Sequence, residues 1–127
     1  MGYEELPGFS QVYLEDSFVE SITVTPGVVR FVADVVLLPG HDRYHPPRRG
    51  EQNCYESSTI SFSSVVSVTW TNQGTQPAID ATGQVDYGGF ERFEQGTAEW
   101  LVDGDWGSMV IEADVSPSIE PVATRDA

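Results

Sequence analysis

The chain has 127 residues, with 20 Asp and Glu against six basic residues and a formal charge of −14. That length holds one hydrophobic core. So negative a surface repels polyanions, which excludes nucleic acid and anionic membranes as expected partners. One cysteine, Cys54, excludes an intrachain disulfide, and a cytoplasmic setting is the expectation. The opening MGYEELPGF carries neither a basic start nor an apolar stretch, so no secretory leader is expected.

Residues 3–16, YEELPGFSQVYLED, read as a lead-in with a turn at Pro7-Gly8 and room for an edge strand or a helical turn. Residues 17–38 form the clearest hairpin. Two runs rich in Val, Ile, Thr and Phe flank Thr25-Pro26-Gly27, where Pro presets one turn dihedral and Gly accepts a positive φ at the next. On its second strand Val29, Phe31, Ala33, Val35 and Leu37 make an unbroken apolar row, which the two-residue period turns to the core. On the first strand Glu20 shares a parity with Phe18, Ile22 and Val24, so a strand end or a bulge is expected there.

Residues 39–53 lack any strand pattern and hold His41, His45 and three arginines, Arg43, Arg48 and Arg49. Pro46-Pro47 excludes a helix or a central strand. The i, i+4 histidine spacing suits a metal only on a helix, so no metal ligands are assigned. The arginines are expected to fold back onto the chain's own carboxylates. Residues 54–71 give two more strands joined at Ser63-Ser64, with Ile60, Phe62, Val66, Val68 and Trp70 as core candidates. A short strand follows at 84–87, and Phe90 to Phe93 starts the next strand or a bulge. A second hairpin spans 97–102 and 105–115, with Asp103-Gly104 read as a two-residue turn of the I′ class. The last stretch, 116–127, has two prolines and little bulk and is expected to be loose.

This spacing of short strands without a helical period predicts an all-β fold. It is a single antiparallel β-sandwich or half-open barrel over residues 1–115. No phosphate loop, dinucleotide fingerprint or nucleophile elbow is present, so no cofactor and no catalytic residue are assigned and the chain reads as a non-enzyme.

Two stretches carry a resemblance. ATGQVDYGGFERF (81–93) and WLVDGDWGSMVIEA (100–113) resemble small uncharacterised proteins of high-GC actinobacteria, a likeness that implies no activity. More loosely, the acidic all-β outline is similar to that of bacterial toxin-immunity proteins, which implies an acidic inhibitor of a basic protein. The charge supports the same expectation, a protein-binding domain for a basic partner. Its candidate contacts are Asp80, Asp86, Glu91, Glu94, Asp103 and Asp105, around the second hairpin. A small-molecule or carbohydrate-binding domain, or a weak hydrolase, with a Trp/Asp cleft is the alternative, as is self-assembly through strand edges. The position of Trp70, Trp100 and Trp106 separates the first two: core for a protein-binding domain, cleft for a sugar site.

Overall fold

The computed structural model describes residues 2–73, 78–79 and 85–122, with 78–79 and 85–86 as backbone only. Two four-stranded antiparallel sheets pack face to face as a β-sandwich. The first has the order β1 (Val12–Thr25), β2 (Val28–Leu37), β3 (Cys54–Phe62), β10 (Ser118–Pro121). The second runs β4 (Val65–Thr71), β9 (Gly107–Ala113), β8 (Trp100–Gly104), β7 (Phe90–Gln95). A small ladder pairs β5 (Ala78–Ile79) with β6 (Val85–Asp86).

The Pro26-Gly27 turn closes the first hairpin, with Thr25 opposite Val28 and Gly27 at φ +78°. The apolar row of β2 faces the core throughout. Glu20 is a bulged residue: Val19 pairs with Ala33 and Ser21 with Val32. The extra residue inverts the parity of β1, so Val19 is buried while Phe18 is 39% exposed.

The core is built from rings that meet across the two sheets. Phe31 of β2 stands 5.5 Å from Phe90 and 5.3 Å from Trp106, and Phe62 of β3 stands 5.6 Å from Phe93 and 6.2 Å from Trp100. Inclined pairs of this kind add roughly 0.5–1.5 kcal/mol each beyond the area they bury.

Several elements depart from the sequence reading. The lead-in carries a single 3-10 turn, Tyr3–Glu5, and plugs Tyr3, Leu6 and Phe9 into the core. β1 begins at Val12, five residues before the expected hairpin. Val66 is 65% exposed rather than core. A register shift between Val65 and Ser67 makes it a bulged residue, so Val65 packs on the core in its place. The second turn holds Asp105 and Trp106, with Gly104 opposite Gly107. Both turn residues keep negative φ and Gly107 takes φ +126°, so the turn is not of the I′ class. Trp106 is 2% exposed, and its burial is what moves the turn. In the stretch expected to be loose, Ser118–Pro121 pairs with β3 and packs Ile119 on the core.

Candidate functional site

On the outer face of the second sheet, alternation puts Trp100, Val102, Met109 and Ile111 inward and Leu101, Asp103, Val110 and Glu112 outward. Glu94, Leu101 and Val110 lie side by side across β7, β8 and β9. Arg92 lies opposite Asp103, donates from Nε to its Oδ2 at 2.9 Å, and brings Nη1 to 3.6 Å from Glu94 Oε1. These surface ion pairs are worth at most about 1 kcal/mol each, so they order the face more than they stabilise it.

Of the six carboxylates expected to meet a partner, the fold brings Glu94 and Asp103 together at Arg92. Glu91 is exposed at a register irregularity of β7, and Asp105 is exposed in the β8–β9 turn. Asp80 lies outside the described residues, and Asp86 is placed by backbone alone on β6. Glu112 belongs to the same face and was missed. Its parity, opposite to Met109 and Ile111, was the signal.

A second feature lies at an irregularity of β1. Tyr13 pairs with Val36 and Phe18 with Asp34, so residues 14–17 stand opposite Val35 alone. Leu14 and Ser17 turn inward, while Glu15 and Asp16 stay exposed. The Ser17 hydroxyl replaces the missing ladder bonds. It accepts from the Val36 N–H at 3.0 Å and donates to the Tyr13 carbonyl at 2.8 Å. The chain at 87–89 crosses this point through the Val19 N–H on the Gly88 carbonyl and the Tyr87 N–H on the Val19 carbonyl, both at 2.9 Å. Gly89 permits the crossing, because a Cβ there would stand 2.8 Å from the Ser17 carbonyl oxygen.

The result is a cleft of about 250 Å³ walled by Glu15, Asp16, Phe18, Gln52, Asn53 and Tyr55. The Phe18 and Tyr55 rings lie 5.6 Å apart and tilted by 33°. Glu15 is held from behind: the buried Tyr3 hydroxyl donates to its Oε1 at 2.5 Å and accepts the Leu14 N–H at 3.1 Å. Burial, and then the bond to Glu15, push the Tyr3 phenol well above its ordinary pKa, so it stays a donor.

At the β1 bulge, Glu20 approaches Asp34 of β2 and Ser57 of β3. Burial first, then the charge of Asp34 and a hydrogen bond with it, raise the Glu20 carboxyl above its usual range, and its Oε1 is buried without a hydrogen-bond partner.

In the loop before β3, His41 Nδ1 accepts the Arg43 N–H at 3.0 Å, and His45 Nδ1 lies 2.8 Å from the Pro46 carbonyl. Each ring is thus engaged with its own stretch of chain. Of the three loop arginines expected to fold back onto the chain's carboxylates, Arg43 does so, with Nη2 3.5 Å from Glu56 Oε1. Among the described residues no group of three or more His, Cys, Asp or Glu is placed to hold a metal ion. No described helix is long and apolar enough to cross a membrane.

Trp100 and Trp106 are buried, and Trp70 is partly buried with Nε1 donating to the Trp106 carbonyl at 3.1 Å. None of the three lines the cleft. Comparison with protein-family profiles, with curated proteins and with solved structures found no match for this chain.

Proposed function

We propose that the chain is a non-catalytic, acidic protein-binding domain that engages a basic protein. The observation that carries this reading is the outer face of the second sheet. There Leu101 and the 41%-exposed Val110 form a small apolar centre, with Glu94, Asp103 and Glu112 around it and Arg92 as the basic residue on the face. An apolar patch with a charged rim has the anatomy of a protein interface. The tryptophans support the same reading over a sugar cleft, because they are spent on the core.

The net charge of −14 supplies a long-range field that attracts a cationic surface and speeds its arrival. Capture from the source cell followed by association kinetics at low and high salt tests the reading. The captured partner should be basic, and its association rate should fall as salt rises. Replacing Glu91, Glu94 and Glu112 together with Gln should slow association further while the fold survives. A neutral or acidic partner, or a rate that ignores both salt and these substitutions, overturns it.

A further inference from the structure

We infer that the cleft at the β1 irregularity receives an arginine side chain of a protein ligand. The inference rests on the basic-partner reading above and gives that partner one specific contact. Phe18 is 39% exposed and Tyr55 half-buried, so an aromatic pair stands open at the surface, apart from the rings of the core. A planar cation over such a ring is attracted by its negative face, and guanidinium stacks there better than ammonium.

The same cleft is lined by two carboxylates, Glu15 and Asp16. Glu15 and Asp16 carry no ion pair to an arginine of this chain among the described residues. Glu15 is fixed by Tyr3, so its carboxylate does not have to be ordered when a donor arrives. Gln52 and Asn53 add amide oxygens at the rim. Guanidinium matches this set because one face can stack while its edge donates two N–H groups to a carboxylate.

Size agrees. At about 250 Å³ the cleft falls below the roughly 300–1,000 Å³ of pockets that enclose a drug-sized ligand, and suits a single side chain. Place agrees as well. Asp105 of the second hairpin lies against Gly88, next to Gly89 in the cleft wall, so the acidic turn and the cleft share one end of the molecule.

The test is a titration of the ¹⁵N-labelled full chain with N-acetylarginine amide, with N-acetylcitrulline amide as the neutral isostere and glucose as a sugar probe. Arginine should give saturable amide shifts confined to residues 15–18, 52–55 and 89, with the citrulline compound at least ten-fold weaker and glucose silent. Phe18→Ala and Asp16→Asn should each weaken arginine at least three-fold. Asp16 is exposed, so Asp16→Asn decides if Phe18→Ala fails to fold. Equal binding of citrulline, binding of glucose at the cleft, shifts confined to the outer face of the second sheet, or no saturation overturns the proposal. Saturable arginine binding without any basic partner in cells would overturn the proposed function and leave the cleft assignment standing. A basic partner whose binding ignores Asp16→Asn would do the reverse.

Discussion

Glu20 breaks the alternation of β1 in the sequence and is the bulged residue in the fold. Its raised carboxyl pKa, caused by burial and by Asp34, means that the folded chain binds a proton there more tightly than the unfolded chain does. The ionised group therefore costs stability above the raised value. That cost fades as pH falls toward the unfolded value of about 4.3. Glu20→Gln should raise the melting temperature at pH 7, and the gain should shrink on acidification to pH 4. A gain that grows on acidification contradicts this account. Ser17 is a different case. It is fully buried and stands in for a ladder partner, so Ser17→Ala strands the Val36 N–H. A loss of about 1–3 kcal/mol is expected in urea unfolding, against near neutrality for an exposed serine such as Ser63.

At the scale of elements, two glycines with positive φ separate backbone strain from crowding. A Cβ at Gly27 meets open space, whereas at Gly107 it presses on the Thr71 carbonyl and stands 2.8 Å from Trp70 Nε1. Gly27→Ala should cost about 1–2 kcal/mol from the left-handed backbone alone. Gly107→Ala should cost clearly more, because β4 and β9 must also separate. Equal losses in urea unfolding would show that the packing at Gly107 relaxes freely.

The same elements show what was legible beforehand. The Pro26-Gly27 turn and the core row of β2 follow from local dihedral preference and a two-residue period, and both stand in the fold. The start of β1 does not. Tyr3, Leu6 and Phe9 have helical spacing yet act as plugs, and only the sandwich they close explains them. Val66 was misplaced because a bulge reverses parity without a mark in the sequence. The carboxylates of the second hairpin were visible as residues, but their meeting at Arg92 depends on the β7–β8 register. The cleft was illegible for the same kind of reason. Its walls come from residues 15–18, 52, 53, 55 and 89, and the β1 irregularity brings them together.

For the whole molecule, the excess of carboxylates acts against folding and in favour of the proposed binding. Twenty acidic residues share a 127-residue chain with six arginines, and of these Arg43 and Arg92 are paired with carboxylates of the chain. Solubility of a small domain requires a net charge of only about 2–8 in magnitude. The remainder adds self-repulsion, which the compact state feels more than the expanded one. Salt shortens the reach of these charges from about 30 Å at 0.01 M to about 10 Å at 0.1 M. It should therefore stabilise the fold, and the melting temperature should rise between 0.01 and 0.15 M sodium chloride. Association with a basic protein depends on the same field as an attraction, so its rate should fall over that interval. Opposite responses in one buffer series are what the proposed steering requires. A melting temperature that falls as salt is added would mean that the carboxylates are already compensated within the chain, and would remove the physical ground for steering.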